Sequence, residues 1–273
     1  MNLLDQSVAL GPLGLSLGQL LIAFSLVVAL VTGQLLGRRQ RLRIGDSLST
    51  LALVMLTGAR LVFVARYLED YAGPLQMLDI RDGGFDAIGA LVAGGAYAGW
   101  RLWRHPEQRK ALGGALAAGL LTWGVSAGSL GLMAAQSRPM PDTELITLSG
   151  ESLVLPTLQA AEERPMVVNL WATWCPPCRR EMPVLADAQE ATPEITFVFL
   201  DQGEDPAQVQ RFLEHQSLDL DHLLIDPELA FGERVGARVM PTTLFYDADG
   251  QLLDTHFGEL SRATLNRALD ELY

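Results

Sequence analysis

The sequence predicts two architectures in tandem: an α-helical membrane bundle over residues 1–135 and an α/β domain over residues 142–273, joined by a linker at 136–141. Long apolar segments are confined to the first part, which predicts about four spans. Charge is divided just as unevenly. Residues 1–135 carry 11 Lys+Arg against 8 Asp+Glu, a net of +3, while residues 136–273 carry 9 against 24, a net of −15. In the second part strand-like and helix-like patterns alternate, which implies a central sheet flanked by helices.

The first apolar run, Gly11 to Gly37, contains no charged residue and is long enough to cross a hydrocarbon core of about 30 Å. A cleaved signal peptide competes for it, but Asp5 precedes the run, no Lys or Arg does, and three further apolar segments follow. A retained span is therefore expected. The others run from about Ser47 to Ala65, Gly84 to Trp100 and Ala111 to Ala135, with Arg60 inside the second and Asp86 near the start of the third. Arg38, Arg39, Arg41 and Arg43, and then Arg101, Arg104, Arg109 and Lys110, mark two cytoplasmic loops by the positive-inside rule. The loop between, with Glu69, Asp70, Asp79 and Asp82 against Arg81, falls on the other side, and an even number of spans puts the C-terminal half there too. Gly95-x-x-x-Gly99 and Gly124-x-x-x-Gly128 are the candidates for close helix approach.

Gln136 to Pro141 reads as a short polar, proline-containing linker. Leu145 to Leu148 and Ser152 to Leu155 flank Gly150 as a hairpin. The core then reads strand (Met166 to Ala172), helix (Pro176 to Ala191), strand (Ile195 to Leu200), helix (Pro206 to Gln216), short strand (Leu223 to Ile225) and short helix (Glu228 to Val235). Thr242 to Tyr246 and Gln251 to Phe257 pair across Asp247-Ala248-Asp249-Gly250. A last helix, Arg262 to Leu272, is capped by Ser261 and buries Leu265, Leu269 and Leu272.

The chain's two cysteines stand together in Trp174-Cys175-Pro176-Pro177-Cys178, at the end of one predicted strand and the start of the next helix. That is the context of a thioredoxin-type redox motif. Cys175 sits where free N–H groups and the positive end of the helix dipole favour a thiolate, so it is the attacking sulfur and Cys178 the resolving one. Tetrahedral zinc needs two more ligands, and His105, His215, His222 and His256 show no ligand-like spacing. A purely structural bridge is disfavoured because so short a loop constrains little chain entropy. The acidic balance of this half excludes nucleic acid as a partner, since phosphate binding needs a basic face.

Val167 to Pro183, VVNLWATWCPPCRREMP, resembles the active-site signature of the TlpA-like (ResA-like), membrane-tethered branch of the thioredoxin superfamily. The resemblance covers the chain from near Asp142 to Tyr273 and implies a thioredoxin-like fold. Asn169 stands where ordinary thioredoxins carry a buried aspartate, and Glu181 matches the acidic residue this branch uses near its dithiol. A partly buried carboxyl there titrates upward and exchanges a proton with Cys178. Met240-Pro241-Thr242 matches the position of the family's cis-proline, with Met240 lining a partner groove beside Pro241 and Trp174.

A weaker resemblance lies in the membrane half. Gly58-Ala59-Arg60-Leu61, Pro74-Leu75 and Asp82-Gly83-Gly84-Phe85 running into Gly89-Ala90-Leu91 are similar to a stretch of prolipoprotein diacylglyceryl transferase. That family's catalytic histidine follows its D-G-G segment, where this chain has Ile88, and no histidine occurs before His105. The half is also short for that family's set of spans, so a scaffold is expected here rather than transfer chemistry.

The expected function is that of a membrane-anchored thiol:disulfide oxidoreductase, reducing disulfides of extracytoplasmic proteins through Cys175, Cys178 and Glu181, with no cofactor beyond the dithiol. The alternatives are a dithiol oxidase, a diacylglyceryl transferase-like membrane protein with an accessory redox domain, and a non-catalytic scaffold. The expected partners are protein disulfides, a separate membrane thiol–disulfide reductant and membrane lipids. The expected location is the bacterial inner membrane, multi-pass, with the C-terminal domain in the periplasm.

Overall fold

A computed structural model describes residues 7–10, 13–39, 44–134 and 139–272. The chain divides into two compact units, Gly18–Leu132 and Met133–Tyr273 with Met1–Leu17. Ahead of the helices, β1 (Ser7–Leu10) and β2 (Leu13–Ser16) pair as an antiparallel hairpin. The helices are α1 (Leu17–Arg39), α2 (Gly45–Arg66), the short α3 (Pro74–Leu78), α4 (Ala87–Arg104) and α5 (Arg109–Ala134).

Leu20–Arg38, Gly45–Arg66 and Pro106–Ser129 are long and apolar enough to cross a membrane, so three described helices meet that test where about four were expected. The segment from Gly84 to Trp100 is largely helical, but α4 runs on through Arg101 and Arg104, which lower its hydropathy. The first helix begins at Leu17 rather than Gly11. Residues 13–16 lie in a strand, Gly14 being a poor helix former, and Gly11 and Pro12 fall outside the described residues.

The expected glycine pairs are not the packing points. A Cβ added at Gly95, Gly99, Gly124 or Gly128 meets nothing within 4 Å. One added at Gly58 stands 2.4 Å from the Ala93 Cβ and 2.9 Å from the Gly89 carbonyl oxygen, and one at Gly89 stands 2.7 Å from the Gly58 carbonyl oxygen. The tight seam therefore joins α2 and α4, on glycines 31 positions apart that no four-residue spacing links. Arg60, charged and within α2, is satisfied by the loop that follows. It donates to Asp82 (3.0 Å) and to the carbonyls of Met77 (3.1 Å), Asp79 (2.6 Å) and Gly84 (2.8 Å), among the rings of Phe63, Tyr71 and Phe85. Asp82-Gly83-Gly84 is thus the cradle of Arg60, and Ile88 beyond it is 62% exposed.

The second unit is α/β. It comprises β3 (Glu144–Thr147), β4 (Ser152–Val154), α6 (Leu155–Glu162), β5 (Met166–Trp171), α7 (Pro176–Ala191), β6 (Thr196–Asp201), α8 (Pro206–Gln216), β7 (His222–Ile225), α9 (Ala230–Val235), β8 (Thr242–Tyr246), β9 (Leu252–Phe257) and α10 (Arg262–Asp270). One mixed seven-stranded sheet runs β4-β3-β7-β6-β5-β8-β9, with β5 parallel to β6 and antiparallel to β8. Helix α6 was not expected. Leu155 ends no strand; it opens α6, where Pro156 in the first turn needs no N–H partner. Of the expected linker, residues 136–138 lie outside the described residues. Met140 is part of the domain, its N–H donating to the Gly250 carbonyl (3.1 Å) and its side chain in the core.

Strand β5 is buried along its whole length, and its alternation serves two cores. Val167 and Trp171 face a cluster with Cys175, Cys178, Met182, Leu185 and Phe199, while Met166, Val168 and Leu170 face another with Val198, Leu200 and Leu244. The cysteines therefore rise from a packed layer at the end of the interior strand β5.

Candidate active site

Pro176 and Pro177 fill the first turn of α7, where their missing N–H groups have no helical partner to lose. Cys175 is the N-cap, and its Sγ accepts from the Cys178 N–H at 3.3 Å. The two sulfurs are joined as a disulfide with an S–S distance of 2.07 Å and a Cα–Cα distance of 5.3 Å. Cys178 is fully buried, and Cys175 keeps 4% of its surface. Trp174 beside them is 63% exposed. The Met240–Pro241 bond is cis, Pro241 is buried, and Met240 packs, half-buried, against the cluster that holds both cysteines.

Glu181, one helical turn past Cys178, is completely buried where partial burial was expected. Its Oε1 accepts from Asn169 Nδ2 (2.8 Å) and its Oε2 from the Leu260 N–H (2.9 Å). Burial pushes the carboxyl up to about 8; the two hydrogen bonds pull the other way, and Glu259 adds to the rise. The same Asn169 amide donates to Thr243 Oγ1 across the sheet (2.9 Å), leaving its Oδ1 without a partner. The flanking arginines behave as surface residues. Arg180 forks onto Glu259, and Arg179 lies over the Phe212 ring at 5.6 Å.

A second carboxyl group at this end of the sheet had not been singled out. Glu204 takes both the N–H and the Oγ1–H of Thr173 (2.7 Å for the hydroxyl), which fixes the loop two residues before Cys175. Behind it Asp201, at the end of β6, is fully buried and accepts the Glu204 N–H (2.8 Å). Burial, with Glu204 alongside, raises the Asp201 carboxyl well above the usual carboxylate range. The signal for these residues was their place: acidic groups at and just past the carboxyl end of a parallel strand beside the one carrying the motif.

Residues 135–272 match the family model of Redoxin, and residues 7–134 match that of prolipoprotein diacylglyceryl transferase. The chain is similar to the thioredoxin-like protein YneN of Bacillus subtilis (strain 168), 33% identical over 143 residues that cover 50% of this chain and 79% of the relative. It is also similar to the thiol-disulfide oxidoreductase ResA of Halalkalibacterium halodurans, 29% identical over 125 residues covering 45% and 69%. Among solved structures, a thiol:disulfide interchange protein of the thioredoxin family from Chlorobium tepidum TLS aligns with 28% identity and a TM-score of 0.43, over 50% of this chain and 97% of that one. With three membrane-capable helices, the first half is a membrane domain.

Proposed function

We infer, from the premise that the chain belongs to the Redoxin family, a membrane-anchored thiol:disulfide oxidoreductase whose net direction is reduction of protein disulfides outside the cytoplasm. The observation that carries the reading is the Cys175–Cys178 pair at the N-terminus of α7, Cys175 keeping 4% of its surface beside the exposed Trp174 and Cys178 keeping none.

The exchange runs in two displacements. The Cys175 thiolate attacks one sulfur of the substrate disulfide, forming a Cys175–substrate bond and releasing the first substrate thiolate. Cys178 then attacks Cys175 Sγ, the second substrate sulfur leaves as a thiolate that water protonates, and the Cys175–Cys178 disulfide closes. Two electrons pass to the substrate. The Cys178 proton goes to Glu181, whose raised pKa suits a group that accepts and returns a proton near neutral pH. Trp174, Met240 and Pro241 form the rim against which the substrate chain lies.

The dithiol is restored by a separate membrane protein that carries a reduced pair on the same side, because this chain's two cysteines are both in the motif. Loop charges support an inner-membrane topology with the redox domain in the periplasm. The membrane half serves as an anchor in contact with lipid, and the absence of histidine before His105 weighs against transfer chemistry.

The test is to trap partners on Cys178→Ser in intact membranes. Mixed disulfides at Cys175 with envelope proteins are expected, together with a wild-type dithiol that is largely reduced in cells. A dithiol held fully oxidised in growing cells would reverse the direction, and no trapped protein would remove the function.

A further inference from the structure

Four arginines of the redox domain are locked to carboxylates: Arg164 to Glu162, Arg180 to Glu259, Arg234 to Asp142 and Arg262 to Asp187. Arg179 and Arg211 have no such partner among the described residues, although residues 136–273 hold 24 Asp+Glu against 9 Lys+Arg. Both line one open cleft of about 560 Å³, with His215, Gln208, Phe212 and Thr173, and no carboxylate is in the lining. The nearby acids are turned to other work. Glu204 holds Thr173 and Gln208, and Glu214 accepts from Gln210 at 3.1 Å. Arg179 is steadied over the Phe212 ring at 5.6 Å, and that ring packs 5.5 Å from the buried Trp171. Its cation is thus aimed rather than neutralised.

Thr173 belongs both to this cleft and to the loop entering Cys175, and two residues separate their Cα atoms by at most about 8 Å. A substrate chain crossing Cys175 in extended form reaches the cleft within two or three residues at about 3.3 Å each. We propose that this cleft selects among protein disulfides, favouring those in which an aspartate or glutamate lies two or three residues from the attacked cysteine and seats its carboxylate between Arg179 and Arg211. The proposal rests on the redox reading above and names its substrate class. Elsewhere the acidic domain repels such a segment; here two cations line the approach to the reacting sulfur.

The experiment uses the full-length chain, reduced beforehand and held in lipid nanodiscs, in single turnover. The probes are three peptides with one cysteine capped as a thiopyridyl disulfide, followed by three aspartates, three asparagines or three lysines, and thiopyridone release gives the second-order rate. The aspartate peptide is expected to react about tenfold faster than the asparagine peptide, and the lysine peptide slower, with the spread shrinking as salt is added. In R179E/R211E the order should collapse or invert. R164E/R234E, with the same net charge placed outside the cleft, should keep it. Ratios are taken within each protein, so a partly misfolded preparation leaves them unchanged. Equal rates for the three peptides in the wild type, or an order that survives in R179E/R211E, would overturn the proposal. Release from none of the peptides would instead overturn the redox reading, and this one with it.

Discussion

Asn169 on the buried strand β5 and Glu181 on the active helix are joined by a 2.8 Å hydrogen bond inside the domain, 12 residues apart in sequence and both excluded from water. Ionised, Glu181 needs donors at both oxygens, and Asn169 and the Leu260 N–H supply them. Neutral, its Oε1–H needs an acceptor. A half-turn of the Asn169 amide provides one in Oδ1, which is otherwise unpartnered, while the Thr243 hydroxyl turns to donate to the same atom. The pair can therefore hold either protonation state.

Stability should fall as pH rises. Glu181 titrates near 8 in the folded domain and near 4.3 when unfolded, so between those values the native state keeps a proton the unfolded chain has lost. The destabilisation grows by about 1.4 kcal/mol per pH unit, levels off above 8 and totals on the order of several kcal/mol. Asp201 acts in the same direction. Urea titrations of the full-length protein at pH 5.5 and 8.5 should show the lower midpoint at pH 8.5, and Glu181→Gln should narrow the gap. A gap unchanged in the variant would show that Glu181 is not the titrating group.

Removing the donor from the ionised form should move that titration. In Asn169→Ala the Glu181 carboxylate loses one of its two hydrogen bonds, so its pKa rises further. The alkaline break in the pH profile of disulfide reduction is expected to shift upward by about one unit. In Glu181→Gln the break should vanish. The profiles of all three proteins, measured on one substrate, decide it.

Once the bridge is reduced, Cys175 should be alkylated much faster than Cys178 at neutral pH, because one sulfur lies at the rim and the other is sealed. Mass spectrometry after a brief pulse of iodoacetamide reads the ratio, and equal labelling would contradict the assignment of attacking and resolving sulfurs.

Glu204 should act on the dithiol through the loop. Glu204→Ala leaves the Thr173 N–H and hydroxyl without their acceptor, a loss of about 1–3 kcal/mol. Amide exchange at Thr173 and Trp174 should speed up with little change in the strands of the core. Uniformly faster exchange would mean a general loss of stability.

In the membrane half, Gly89→Val should weaken the α2–α4 contact, since its side chain would meet the Gly58 carbonyl at under 3 Å, whereas Gly95→Val enters open space. Thermal unfolding in detergent should separate the two. Similar losses would place the seam elsewhere.

Much of this architecture was legible in the chain, because the signals were local. Apolar length marked the helices, short apolar runs marked β5 and β6, and two cysteines flanking two prolines at the end of a strand marked the site. What a local pattern cannot carry is which distant groups meet. Glu181 shows in sequence as an acid one turn past Cys178. That it is sealed from water, and held by Leu260 from 79 positions away, follows from the packing of the chain entering α10 against α7. Arg60 reads as an interruption of a span until the chain after it folds back with six oxygen acceptors. Gly58 and Gly89 share no spacing rule, because contact between two helices depends on how each is rotated about its own axis, and only the assembled pair sets that.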